Sequence, residues 1–293
     1  MKVVLFCGGL GMRIREAGES IPKPMVPVGD RPILWHVMKY YAHFGHKDFI
    51  LCLGYLSESI KRYFVNYKEY TSNDFVLLNG GRDIQVFNRD IHDWTITFVD
   101  TGTNSNIGQR LKAVEKYLDG EEVFLANYSD NLTDFHLPKL IDAFYEQNKV
   151  AAFLCVRPSL SCHSVLLGEG GLVQEIKTIG QSDILINGGY FVFNRAIFDY
   201  MKAGEELVKE PFHRLITEKQ LMGFTYQGFW RSMDTFKEKQ ELDDLWAKGN
   251  APWQLWKQQE NGSSTYFSER PAQRLDRENE RKIIGHVALA KES

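Results

Sequence analysis

The 293-residue chain sets Lys plus Arg 35 against Asp plus Glu 38, a net charge of −3, with 43% apolar and 13% aromatic residues. That balance excludes a chain drawn to nucleic acid or acidic lipid by its overall charge, so any anionic ligand must be held locally. Length and composition suit one large α/β domain with appendages.

In chain order, "KVVLF" reads as a buried strand and runs into Gly8, Gly9 and Gly11, with Arg13 close behind. Glycines at a strand end let backbone N–H groups approach an anion, and an arginine fork can bridge phosphate oxygens. A glycine turn also occurs with no ligand, and this one lacks both the GK[ST] ending of a P-loop and the third glycine of G-x-G-x-x-G. Lys23 follows between Pro22 and Pro24, which is expected to hold it on a stiff extended segment. It reads either as an exposed loop lysine or as a second phosphate contact.

"PILWHVMKYYAHF" repeats apolar residues at helical spacing, and "DFILCLGY" is the next strand. Then come the strand "ITFVDTG", a helix over 109–117, the strand "VFLANYSD", a helix over about 137–148 and the strand "AAFLCV". This rhythm predicts an α/β fold with a Rossmann-like, mostly parallel sheet covered by helices on both faces, which binds ligands at the carboxyl ends of its strands. Asp130, where "VFLANYSD" ends, suits either Mg²⁺ or the N-cap of a following helix. From about Pro158 the strands shorten ("GLVQEIKT", "ILINGGYFVFN", "MGFTYQGFW"), with helical segments at 195–203, 210–219 and 235–248. Asp234 in "FWRSMDT" carries the same two readings as Asp130.

The expected organisation is one domain over 1–256, with a first part over 1–157, a lid or substrate subdomain over 158–234 and a C-terminal helix and clasp (235–256), followed by a polar tail at 257–293. Tryptophans 230, 246, 253 and 256 are read as packing residues. The four cysteines (Cys7, Cys52, Cys155, Cys162) form no CxxC pair and are expected to be reduced, three of them in buried strands. No apolar run approaches the ~20 residues that span a bilayer, and Met1 leads directly into a strand. A cytoplasmic protein with no membrane or nucleic-acid partner is the expectation.

Taken together, "GGLGMR", "IPKPMVPVGDRPILWHVMKYY", "DFILCLGY", "WTITFVDTG", "LKAVEKYL", "INGGYFVFN", "GFWRSMDT" and "LWAKGNAPW" resemble, in order, the sugar-1-phosphate nucleotidyltransferases. The likeness covers about residues 1–256, and the group it resembles most is the glucose-1-phosphate cytidylyltransferases. It implies a GT-A-like fold and an Mg²⁺-dependent reaction in which a sugar phosphate attacks the α-phosphorus of CTP and pyrophosphate leaves. It also implies small-molecule substrates and a homo-oligomer. Carried over by motif, Arg13, Lys23, Asp130 and Asp234 are the catalytic set, and Asp130 with Asp234 holds the metal. Gly8, Gly9, Gly11, Met12, Arg13, Lys23, Thr101, Gly102, Gly108 and Arg110 line the nucleotide. Lys177, Asn187, Gly188, Glu175 and His163 serve the acceptor.

The chain departs from the family pattern at several of these places. Met12 stands for a threonine, Ile21 for a lysine, and "SDN" for G-D-G. "EIKTIG" replaces E-K-P, so that Ile176 takes the place of a sugar-binding carboxylate unless Glu175 shifts register. "CHSVLLG" replaces R-F-G-A-L. These changes leave the acceptor open to being something other than glucose 1-phosphate. They also leave room for a catalytically weak nucleotide sensor or assembly subunit. A dehydrogenase on a Rossmann sheet is disfavoured by the missing glycine.

Overall fold

The computed structural model describes residues 1–9, 21–159 and 162–257. Of the tail expected at 257–293, residues 258–293 lie outside them. β1 (Val3–Phe6) leads to a one-turn 3-10 helix at Lys23–Met25, the short pair β2 (Pro27–Val28) and β3 (Arg31–Pro32), then α1 (Ile33–His43), β4 (Asp48–Leu53) and α2 (Ser57–Val65). A hairpin of β5 (Phe75–Leu78) and β6 (Asp83–Val86) precedes β7 (Thr95–Asp100), α3 (Ile107–Val114), β8 (Val123–Tyr128), β9 (Asn131–Thr133), α4 (Pro138–Gln147) and β10 (Ala151–Val156). β11 (His163–Leu167), β12 (Val173–Thr178), β13 (Ile186–Asn187), β14 (Phe191–Asn194), α5 (Glu210–Thr217), β15 (Leu221–Tyr226), β16 (Trp230–Ser232) and α6 (Phe236–Ala247) complete the chain.

Eight strands form the main sheet, in the order β13-β10-β14-β8-β1-β4-β7 with β15 on β10. The β8-β1-β4-β7 portion and the β10-β15 pair are parallel, whereas β14 runs antiparallel to both β8 and β10. The sheet is therefore of the expected mostly parallel α/β kind. Because β14 reverses direction, β10 and β15 run parallel to β8, and all these strands end at the same edge as β1. Val4, Phe6, Ile50, Cys52, Phe124 and Ala126 pack from one face against Leu111 and Val114 of α3 and Phe212 and Leu215 of α5. Val3, Leu5, Phe49, Leu51 and Leu125 are buried on the other face.

The helix expected at 195–203 is a 3-10 turn, Arg195–Tyr200, capped by Asn194 and ended by an extended Met201. α2 escapes the hydrophobic pattern because only Ile60 and Phe64 are buried on it. Cys7 and Cys52 are buried, Cys155 is partly so, and Cys162 is exposed. The described chain forms two compact units, one of Met1–Asn66 with the chain from Asp93 onward, the other around Tyr67–His92. The smaller unit gathers on the Asp90 carboxylate, which accepts from the Tyr67 hydroxyl (3.1 Å), Ser72 Oγ (2.6 Å) and Asn73 Nδ2 (2.8 Å). Among the described residues no helix is long and apolar enough to cross a membrane.

α1 is buried on nearly every side, and the end of the described chain closes over it. Trp253, 1% exposed, donates its indole N–H to His36 Nδ1 (3.3 Å) and stacks on Phe229, while Trp256 meets Trp35 edge-on. An indole nitrogen can only donate, so Nδ1 is the acceptor and Nε2–H donates to the Val28 carbonyl at 2.9 Å. The ring is thus fixed neutral. Burial is the main cause that pulls its pKa from 6.5 to about 4; the Val28 hydrogen bond opposes the shift and the Lys257 charge adds to it. The unfolded chain protonates this ring near pH 6.5, whereas the folded chain resists to about pH 4. The resulting stability is therefore complete above pH 6.5 and lost as the pH falls through 4. His36→Gln is expected to flatten the fall of Tm between those pH values relative to the native chain. Equal slopes in thermal unfolding would dismiss the neutral clasp.

Candidate active site

Lys23 begins its 3-10 turn after an extended Pro22, and the Val26 N–H bonds back to the Lys23 carbonyl at 3.1 Å. The proline segment is therefore a turn at Lys23 and extended only before it, because Pro24 fits the first positions of a helix. The Lys23 ammonium lies 2.5 Å from Asp130 Oδ2 and 2.6 Å from Asp234 Oδ1. Burial by itself would lower the Lys23 pKa, but the Asp130 charge and the hydrogen bonds of both carboxylates outweigh it and raise the value.

The two aspartates meet because β9 pairs antiparallel with β16, Asn131 opposite Ser232, and the Met233 N–H bonds to the Asp130 carbonyl at 2.9 Å. Asp130 leads into a strand, which removes its helix-cap alternative. At the other position Thr235 caps α6, in a reciprocal box with Glu238, so Asp234 is not the cap either. Their oxygens form the hard donor set that Mg²⁺ takes, and no cluster of three His, Cys, Asp or Glu occurs among the described residues. Two carboxylates suit an ion that keeps waters and phosphate oxygens in its other positions. The residues present thus fit the metal.

At the end of β1, Gly8 lies against the guanidinium of Arg110, so close that a Cβ there would stand 2.1 Å from Nη1. Arg110 is 1% exposed and donates to Thr101 Oγ1 (2.7 Å) and the carbonyls of Leu53 (3.1 Å) and Thr103 (3.3 Å). Its Nε has no partner, and no carboxylate bonds it among the described residues. A buried guanidinium with the Asp100 charge nearby, and no carboxylate bonded to it among the described residues, therefore underlies the first glycine of the loop. Gly9 is exposed next to it. Gly102 is exposed, with its N–H on Asp100 Oδ1. Gly11, Met12 and Arg13 lie outside the described residues.

On the other side, the Gly188 carbonyl accepts from Trp230 Nε1 (2.9 Å) and Asn131 Nδ2 (3.3 Å). Asn187 reaches the Tyr128 hydroxyl (3.3 Å) and receives the Gly189 N–H (2.9 Å). Gly189 has φ +76°, and a Cβ there would meet Asn127 Oδ1 at 2.3 Å, so the loop must carry glycine to close over β8.

Over residues 2–238 the chain matches the family described as nucleotidyl transferase. The chain belongs to the nucleotidyl transferase family. The glucose-1-phosphate cytidylyltransferase of Salmonella typhi is 38% identical over 87% of this chain and all of that protein. A probable glucose-1-phosphate cytidylyltransferase of Bacillus subtilis is 35% identical over the same shares. Among solved structures, UDP-glucose pyrophosphorylase complexed with UDP-glucose superposes with a TM-score of 0.62 at 17% identity, over 85% of this chain and 98% of that one. A putative glucose-1-phosphate thymidylyltransferase from Bacillus anthracis gives 0.60 at 15%, over 83% and 94%. These two likenesses carry the fold. The chain is accordingly an enzyme of the nucleotidyltransferase type, acting on sugar phosphates.

Within this nucleotidyltransferase, not every expected residue joins the centre. A Cβ on Gly108 would meet the Glu205 carbonyl at 2.3 Å, so that glycine serves close packing between α3 and the chain at 205–207. Glu175, Lys177 and His163 sit on the β11–β12 ribbon, a separate two-stranded sheet, and Lys177 Nζ pairs with Glu175 Oε1 at 2.7 Å. Strand alternation puts Glu175 and Lys177 on one face and Ile176, 61% exposed, on the other. The carboxylate beside the lysine is therefore Glu175. No hydrogen bond among the described residues joins this ribbon to Lys23, Asp130 or Asp234. Asn127 and Ser129 were missed in the sequence, because a polar residue inside an apolar strand run gives no signal until its partners are known; Ser129 Oγ bonds the Phe6 carbonyl at 2.9 Å.

Gly8→Ala must displace the Arg110 guanidinium. It is expected to cost about 1–3 kcal/mol, read as a Tm lower by several degrees, and an unchanged Tm would contradict this packing.

Proposed function

We propose that the enzyme transfers a cytidylyl group from CTP to the phosphate of a sugar phosphate, with Mg²⁺, giving a CDP-sugar and pyrophosphate. The observation that carries this reading is the Lys23 ammonium held between Asp130 and Asp234, two carboxylates delivered by separate parts of the chain to one sheet edge. The cytidylyltransferase names of the relatives support CTP and glucose 1-phosphate.

In this reading residues 1–157 serve the nucleotide and 158–234 the acceptor. Gly8, Gly9 and Gly11 offer backbone N–H groups to the triphosphate, with Met12 keeping its amide there. Thr101 and Gly102 flank the nucleoside. Arg110 acts through Gly8 as a fixed positive floor, an electrostatic contribution that needs no reorganisation when charge develops. An oxygen of the sugar phosphate attacks the α-phosphorus, a new P–O bond forms, and the bond to the bridging oxygen breaks, its electron pair leaving with pyrophosphate. Arg13 stabilises that leaving group, and Lys23 orients the α-phosphate and the acceptor phosphate by charge. Asp130 and Asp234 would hold Mg²⁺, which supplies positive charge to the phosphates. Asn187 and Gly188 border the sugar.

Because Lys23 satisfies both carboxylates, it and the metal are alternative partners for them. Lys23→Met is therefore expected to bind Mn²⁺ about tenfold more tightly than the native enzyme without nucleotide, by paramagnetic resonance titration, while losing most turnover. Equal Mn²⁺ affinity would remove the competition.

Pyrophosphate release with CTP, UTP, dTTP, ATP and GTP tests the reaction, and CTP is expected to be preferred. Asp130→Asn is expected to lower kcat by about 10²–10³-fold with the fold intact. Near-native turnover with unchanged Mg²⁺ dependence would overturn its role.

A further inference from the structure

At the carboxyl ends of β10 and β15 lies a cavity of ≈ 300 Å³ whose lining includes Arg157, Ser159, Tyr226, Gln227, Trp230 and Arg231. Volumes of this order lie at the small end of sites that enclose a small molecule. Among the described residues the lining includes two arginines and no carboxylate, and the Arg231 guanidinium also lies 5.6 Å over the Phe229 ring. Arg157 makes no hydrogen bond or ion pair among the described residues. Arg231 donates to the Trp230 carbonyl (2.8 Å), and its Nε stands 4.0 Å from Glu241 Oε2, the outer limit of an ion pair. The Tyr226 hydroxyl is taken up by Asp134 at 2.5 Å, so its ring is what it offers the cavity.

The cavity shares walls with the acceptor side of the active site. Trp230, which lines it, holds the Gly188 carbonyl, and Val156, also in its lining, lies directly under Gly188. Arg231 belongs to β16, the strand that delivers Asp234 three residues later. At a strand rise of about 3.3 Å per residue their Cα atoms are at most about 10 Å apart, a span one acceptor molecule can cover.

A neutral hydroxyl-rich ring is usually met by carboxylates and amides, whereas guanidinium pairs select oxyanions and fit carboxylate and phosphate in a fork. Resting on the acceptor assignment above, we propose that Arg157 and Arg231 form an anion subsite for the acceptor. The acceptor class is then a sugar phosphate, or a related phosphate ester, with a second anionic group, carboxylate or phosphate, at the end remote from the reacting phosphate.

The test is pyrophosphate release with CTP and Mg²⁺ by the native enzyme, Arg157→Gln and Arg231→Gln, using glucose 1-phosphate, glucuronic acid 1-phosphate and glucose 1,6-bisphosphate. Binding of the same acceptors is measured by calorimetry, and CTP affinity and Tm serve as fold controls. At least one of the two acceptors with an anionic remote end is expected to have a KM about tenfold below that of glucose 1-phosphate, and each variant to raise that KM about tenfold with kcat little changed. The KM for glucose 1-phosphate should stay as it is. A native preference for glucose 1-phosphate, or equal damage to all three acceptors, would overturn the subsite while leaving the reaction standing. Arginine-dependent binding without turnover of any acceptor would instead overturn the reaction and keep the anion site. Noncompetitive inhibition of glucose 1-phosphate turnover by glucuronic acid 1-phosphate would make the cavity a separate effector site and overturn the acceptor assignment.

Discussion

Two ionised carboxylates held at the same spot repel each other, and a cation between them relieves the repulsion. In this chain that cation is the Lys23 ammonium, 2.5 and 2.6 Å from Asp130 and Asp234. The arrangement ties three distant stretches of chain to the carboxyl edge of the sheet. The β9–β16 pairing sets the separation of the aspartates, and the turn at Lys23 sets the approach of the ammonium. Removing Lys23 takes away the cation that stands between the two carboxylates in a partly buried place, the condition under which ion pairs matter most. The same charges are those a metal and a polyphosphate would use, so the structural tie and the chemistry draw on one set of groups.

The second electrostatic element is Arg110. A guanidinium with 1% exposure and no carboxylate is costly unless its N–H groups are bonded, and Thr101 and two carbonyls do most of that. Its Nε is left without a hydrogen-bond partner. Gly8 is thus constrained from below, by packing on a charged group. This reason differs from the turn chemistry usually given for a glycine loop.

On the acceptor side the architecture is looser. The β11–β12 ribbon is a separate sheet with its Glu175–Lys177 pair half exposed, while the loop at Asn187–Gly188 is bound firmly by Trp230, Asn131 and Tyr128. Arg157 and Arg231 are the charged residues that line the cavity beside that loop. In the proposed reading the reacting and selecting groups share β16, which carries Arg231 and leads into Asp234.

Much of this was legible in the sequence. Apolar runs alternating with helical periodicity determined the sheet, because a strand covered on both faces must be apolar throughout, and the ordered motifs from "GGLGMR" to "GFWRSMDT" determined the family. The sequence also marked Lys23, Asp130 and Asp234 one at a time, each with an ordinary alternative: a loop lysine and two helix caps. Only the tertiary structure brought the three together, since the β9–β16 pairing joins residues about a hundred positions apart. It likewise moved Gly108 to a packing role, set Arg110 beneath Gly8, and gathered Arg157 with Arg231. Local pattern records what a residue can do within a turn or two of chain; which charges share a site is fixed by strand pairing across the whole fold, and no spacing in the sequence carries that.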